Sequence, residues 1–191
     1  MKFVEAAFRF AVRPREKLTP WQWGDLHFDV GAVSPFRGMF RSDTSPWIRE
    51  PLEAAADNRI RFLVVMCAAQ SSKTTLAMLI LLFWIATDPG PIQWVMSTEP
   101  EAKTFVNTRL RPSMELCKPV SALMPANRKD NKTLEINFGE SLLLVSGAAA
   151  QNKLQGNPKR YLLLDEVRNW KNAAALPTVL KRITSWWNGR A

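Results

Sequence analysis

The chain is poor in the residues that staple secreted domains or build metal centres. Its two cysteines, Cys67 and Cys117, lie far apart in 191 residues, which excludes a disulfide framework and makes a reducing compartment the simpler reading. There is one histidine, His27. The segment Asp25-Leu-His-Phe-Asp29 sets three donor side chains close together, yet a metal site needs three or four convergent ligands and no matching cluster occurs elsewhere. Acidic residues are in deficit. Seventeen Asp and Glu face 26 Lys and Arg, and the net charge of +9 with a pI near 10.0 favours a polyanionic partner through phosphate attraction. Long apolar runs are missing as well: the most apolar segment, residues 76–86, falls short of the roughly 20 residues that cross a bilayer and reads as a buried helix. At the N-terminus Lys2, Glu5, Arg9, Arg13 and Arg15 interrupt the apolar residues, so no secretory signal is formed. No internal repeat or low-complexity tract is present.

What is there is a regular alternation that begins near residue 60. The pattern predicts a strand over Arg61–Cys67, a helix over Lys73–Ala86 and a strand over Ile92–Ser97. A helix follows from Glu99 to about Cys117, interrupted near Pro112, and then two strands, Leu134–Phe138 and Leu142–Ser146, joined by a hairpin turn at Gly139-Glu140. Tyr161–Leu164 is wholly apolar, the character of a central parallel strand, and Ala173–Trp187 predicts a closing helix. Strands separated by helices give an α/β domain with a mostly parallel sheet, and ligands of such sheets gather at the carboxyl ends of the strands. Residues 1–44, with Pro14, Pro20, Pro35 and scattered tryptophans, show neither period and read as an arm or irregular lead-in. Ser45-Pro46 supplies a cap-type residue before a proline, predicting a short helix over Trp47–Ala56 with a kink at Pro51.

Two motifs fall at strand ends. The first runs from Cys67 through Ala68, Ala69, Gln70, Ser71, Ser72, Lys73 and Thr74 to Thr75, small residues between a strand and a helix. A loop of this kind turns backbone N–H groups and a helix N-terminus toward phosphates, with the lysine reaching the β/γ-phosphates and the hydroxyl of Thr74 completing the shell of Mg²⁺. Against the pattern G-x-x-x-x-G-K-[ST], Cys67 and Ser72 stand where the glycines belong, so Ser72 must take a backbone conformation that glycine adopts freely. The second motif, Tyr161-Leu-Leu-Leu-Asp-Glu166, ends an apolar strand in two acids about ninety residues after Lys73. Asp165 is suited to hold Mg²⁺ with Thr74, and Glu166 to orient and polarise an attacking water. Each motif alone has a bland explanation. Together, in order and at one sheet edge, they point to nucleotide hydrolysis.

With these residues and the segments between them, the sequence resembles the ATPase half of the large terminase subunit of tailed phages, in particular the lambda-type A protein group. Ser45-Pro-Trp-Ile-Arg-Glu-Pro51 is similar to that family's entry segment, and Val65–Thr74 to its deviant phosphate loop. Glu101-Ala-Lys-Thr-Phe105, Arg109-Leu-Arg-Pro112, Gly147–Leu154 and Arg160–Val167 follow in the family's order. The family usually keeps glycine at the position of Ser72. The resemblance implies an ATPase of the P-loop (RecA/ASCE-like) class over residues 45–191 that uses ATP and Mg²⁺ to drive double-stranded DNA into a procapsid. It implies a small terminase subunit and a portal as partners, a homo-oligomeric ring during packaging with a monomer in isolation, no membrane, and action in the host cytoplasm. In the family a further strand and a separate C-terminal nuclease domain follow, so the chain is expected to be a fragment ending before the last core strands. A helicase-type translocase shares both motifs, and a non-catalytic DNA- or capsid-binding protein would keep the fold without turnover.

Other residues have a functional and a structural reading side by side. Trp47 and Arg49 stand where a motor holds adenine, or simply pack a helix. Thr98 and Gln151 face a ligand or serve turns. Arg109, Arg111, Arg128, Lys129, Lys132, Lys153, Lys159 and Arg160 form a DNA-facing surface, supply an arginine finger, or are ordinary surface charges. Trp186 and Trp187 offer apolar surface to a further segment.

Overall fold

The computed structural model describes residues 18–31, 37–68, 70–127, 129–156, 158–172 and 174–188. It is an α/β fold built on a four-stranded, mostly parallel sheet. Strands β1 (Ile92–Met96), β2 (Glu135–Asn137), β3 (Leu142–Gly147) and β4 (Tyr161–Leu164) stand in the order β2-β3-β1-β4. β1 pairs in parallel with β3 and β4, while β2 pairs antiparallel with β3 through a turn in which Gly139 has φ 84°. The carboxyl ends of β1, β3 and β4 therefore share one edge, where Ser97, Ala148 and Asp165 begin their loops.

The pleat sends alternate side chains of β1 to opposite faces. Ile92 and Trp94 enter the larger core, and Val95 enters a smaller one with Ala148, Leu154, Ala175 and Val179. Helices α1 (Pro20–His27), α2 (Arg49–Ala56), α3 (Lys73–Thr87), α4 (Glu99–Phe105), α5 (Arg111–Leu116) and α6 (Lys118–Ser121) lie in chain order before β2. Helices α7 (Gln151–Leu154) and α8 (Ala175–Asn188) flank β4 in sequence and contribute Leu154 and Val179 to the smaller core. Helix α3 is apolar all round because it is buried all round: Leu79, Leu81 and Leu82 have no exposed surface.

Several sequence expectations need correction. Arg61–Cys67 forms no strand. It runs without regular structure and its apolar side chains face solvent, with Val64 84% and Met66 92% exposed. An extended chain is held in a sheet by the hydrogen bonds of a neighbour, and among the described residues no strand lies beside this segment. For the same reason β4, expected at the centre, is an edge strand of the described sheet, and Leu162, Leu163 and Leu164 are only half buried. The lead-in also differs from expectation. α1 begins at Thr19, whose hydroxyl accepts from the Gln22 N–H while the Gln22 side chain accepts from the Thr19 N–H, and Trp23, Phe28 and Phe40 enter the main core.

Local proline chemistry explains two further differences. Pro46–Ile48 is a 3₁₀ turn that Ser45 does not cap through its side chain, and α2 starts at Arg49. Pro51 lies in the first turn of α2, where its missing N–H has no helical partner to lose, so the kink expected there is not needed. In the helix from Glu99 to Leu116 the interruption before Pro112 is a π turn, Val106–Leu110, in which the Arg111 N–H bonds to the Val106 carbonyl five residues back. Pro112 has no N–H to give Thr108, and its ring crowds that carbonyl, so the helix widens there and resumes as α5.

Candidate nucleotide site

The phosphate-loop segment leads into α3 through two left-handed residues, Gln70 at φ 58° and Ser72 at φ 63°. The position where glycine is usual thus takes the backbone that glycine prefers, at a cost of about 1–2 kcal/mol for a residue with a Cβ. The Ser71 hydroxyl closes the turn by donating to the Ala68 carbonyl at 2.6 Å. Lys73 folds back over the loop, its ammonium donating to the Cys67 carbonyl at 3.2 Å. Ala69 lies outside the described residues.

Helix α3 has no side-chain cap and no acid in its first turn. The first α-helical bond runs from the Leu76 N–H to the Ser72 carbonyl, so the N–H groups of Lys73, Thr74 and Thr75 point out of the helix without an intrahelical acceptor. Uncapped donors at the positive end of a helix, next to a lysine, suit a phosphate group.

Across the sheet edge, the Asp165 N–H is fixed by the Val95 carbonyl at 2.9 Å, and its own carbonyl accepts from the Trp170 indole at 3.0 Å. Glu166 is exposed and adopts a left-handed backbone, φ 47° and ψ 44°. Such strain is stored where the surroundings enforce it; here the Asn169 amide holds the Glu166 carboxylate at 3.0 Å and the Asn169 N–H holds its carbonyl at 2.8 Å. The two acids line a cleft of about 240 Å³ with Met96, Ser97, Glu101 and Asn169.

Burial first, and then the charge of Glu166, push the Asp165 carboxyl above its ordinary value, against smaller pulls from the Glu166 N–H and the positive charges of Lys73 and Arg109. A half-buried carboxylate beside a second one favours a cation. One hydroxyl, Thr74, and one carboxylate, Asp165, fit the sparse protein ligation usual for Mg²⁺ bound with a phosphate and water. Lys73 is close enough for its charge to act on Asp165, so the two motifs sit at one site.

A family model, described as the phage terminase large subunit gpA ATPase domain, matches residues 34–191. The chain belongs to this terminase ATPase family. No curated protein and no solved structure is a match. The terminase match takes in both motifs and the segments that join them.

Gly147, in one of those joining segments, has a steric reason to be glycine. A Cβ there would lie 2.5 Å from the Glu99 backbone nitrogen, so the loop after β3 rests directly on the start of α4. Lys153 from the same loop pairs with Glu99 at 3.1 Å, and with Lys103 it holds the Glu99 carboxyl below its usual range.

Sequence reasoning missed Glu101 and Asn169 in the cleft. The signal for Glu101 was its place one turn into the helix that leaves β1, beside the acids of β4. Other candidates have structural partners. Arg49 donates to Ser42 and Asp43 and lies 4.6 Å from the Trp21 ring, which supports helix packing rather than adenine contact. Asp25 accepts from the Ser42 N–H and hydroxyl, and Asp29 from the Gly31 N–H, so both carboxylates of the Asp25–Asp29 segment serve turns. The Thr98 hydroxyl caps α4 by accepting from the Glu101 N–H at 3.3 Å. Arg128 lies outside the described residues, as do the side chains of Gln151, Trp186 and Trp187.

Proposed function

We propose that this terminase ATPase domain binds ATP with Mg²⁺ and hydrolyses it to drive double-stranded DNA into a procapsid. The observation that carries the reading is the meeting of Lys73, at the uncapped start of α3, with the Asp165-Glu166 pair at the carboxyl edge of the sheet. In this reading the loop Ala68–Thr75 and the first-turn N–H groups of α3 cradle the phosphates, and Lys73 leaves the Cys67 carbonyl for the β/γ-phosphates. Thr74 and Asp165 hold Mg²⁺, which when bound screens phosphate charge. Glu166, pinned by Asn169 at a strained backbone position, orients the water and accepts its proton.

The net charge of +9 fits a polyanion. A small terminase subunit, a portal, a ring of like subunits and action in the host cytoplasm belong to the same proposal and rest on the family. Titration calorimetry of the 191-residue chain with ATP tests it. Binding that requires Mg²⁺ and disappears in Lys73→Ala is expected; a wild-type chain that takes no ATP contradicts the proposal.

A further inference from the structure

The π turn before Pro112 has a consequence for Arg109. In a regular α-helix a residue eight positions beyond Glu101 lies roughly 80° around the axis. A π turn takes in about one residue more per turn, which swings Arg109 back toward the side of the helix that carries Glu101. Glu101 lines the cleft with Asp165 and Glu166. Helical side chains also lean toward the N-terminus, which for this helix is the sheet edge where the acids stand.

Arg109 is half buried, and among the described residues it has no hydrogen bond or ion pair. The other described basic candidates are mostly committed elsewhere. Arg111 donates to Asn131 and the Lys132 carbonyl, Lys132 pairs with Glu135, Lys153 with Glu99 and Arg160 with Asp88, while Lys159 is only 3% exposed. Arg109 is left as a guanidinium directed at the acidic cleft from the side opposite the phosphate loop, close enough for its charge to act on Asp165.

We propose that Arg109 contacts the terminal phosphate of ATP within its own chain, so that the γ-phosphate lies between Lys73 and Arg109. This rests on the nucleotide-site reading above. A planar guanidinium suits two phosphate oxygens at once, and it neutralises the charge that develops on a phosphoryl group in transfer. Because the contact is to the terminal phosphate, it distinguishes ATP from ADP.

The test is titration of the 191-residue chain with Mg·ATP and with Mg·ADP, for the wild type, Arg109→Ala, Arg109→Gln, Arg109→Lys and Lys103→Ala. Arg109→Ala is expected to weaken ATP about tenfold and to leave ADP within about twofold, as loss of a charge-assisted phosphate contact would. Arg109→Lys recovers part of the loss. Lys103→Ala, which removes a charge from the same helix, changes neither. Arg109→Gln keeps most of the aliphatic stem and serves if the alanine variant fails to fold. Equal weakening of ATP and ADP, no change in either, or the same loss in Lys103→Ala overturns the assignment. If the wild type binds ADP and ATP yet the Arg109 variants match it, only this inference falls; if it binds neither, the nucleotide reading falls with it.

Discussion

The indole of Trp84 lies flat on the ring of Tyr161, with centroids 4.1 Å apart and planes within 9°. Trp84 belongs to α3, the helix that starts at Lys73, and Tyr161 opens β4, the strand that ends at Asp165. The Tyr161 hydroxyl and the Arg160 guanidinium both donate to Asp88, just past the end of α3. The far ends of the helix and the strand are thereby fastened together, and this sets the relative position of the two motifs at their near ends.

Truncating this joint should cost far more than removing its polar contact. Trp84→Ala is expected to lose about 3–5 kcal/mol of stability, as for a large buried aromatic, whereas Tyr161→Phe loses about 1 kcal/mol with the hydrogen bond to Asp88. Urea unfolding of the two variants checks the ordering. Comparable losses would mean that the stack does not hold the elements together.

Ser72 is the position where this chain departs most from an ordinary phosphate loop. Ser72→Gly should relieve left-handed strain and gain about 1 kcal/mol of stability, less what a more flexible unfolded chain takes back. It should also tighten ATP binding. Ser72→Val should weaken both, because a β-branched residue is poorly tolerated at φ 63°. Tighter binding by the valine variant would contradict this account of the loop.

Gly147→Ala places a methyl group against the Glu99 backbone at 2.5 Å, a contact that no flexible side chain can relieve. A loss of about 1–3 kcal/mol is expected, in the range for overpacking, with a fall in melting temperature as the readout. A melt indistinguishable from wild type would show that the loop after β3 does not rest on α4.

Asp165 gives a pH test. Its carboxyl is raised in the folded chain, so the folded state holds the proton more tightly than the unfolded state, and ionisation costs stability at pH values above the raised value. Below about pH 4 both states are protonated and the cost vanishes. Without nucleotide, Asp165→Asn should melt higher than wild type at pH 7, with the gain fading as pH falls toward 4. With Mg·ATP present the order should reverse, because the variant has lost its carboxylate. A variant that melts lower at pH 7 without nucleotide would contradict the assignment.

Much of this arrangement was legible in the sequence because it is local. The extent of α3 follows from an apolar run after a cap-poor turn, the β2–β3 hairpin from Gly139, and the helix interruption from Pro112. What could not be read depends on partners distant in sequence. Ile60 to Met66 carry the side chains of a strand, but strand formation depends on a neighbouring ladder, and β4 reads as central because apolar leucines do not reveal which side of a strand is paired. Lys73, Asp165 and Glu166 were legible through their motifs. Glu101 and Asn169 were not, since each reaches the cleft only once β1 and β4 lie side by side, and the direction of Arg109 depends on a π turn that proline announces without specifying its width.

Single-turnover ATP hydrolysis by the wild-type chain and by Glu166→Gln, with ATP binding measured on the same samples, tests the central claim most directly. Slow but measurable hydrolysis by the wild type is expected, and a Glu166→Gln variant that binds ATP as well yet hydrolyses it at least ~100-fold more slowly, the scale of losing a general base. Unchanged hydrolysis by Glu166→Gln would contradict the account.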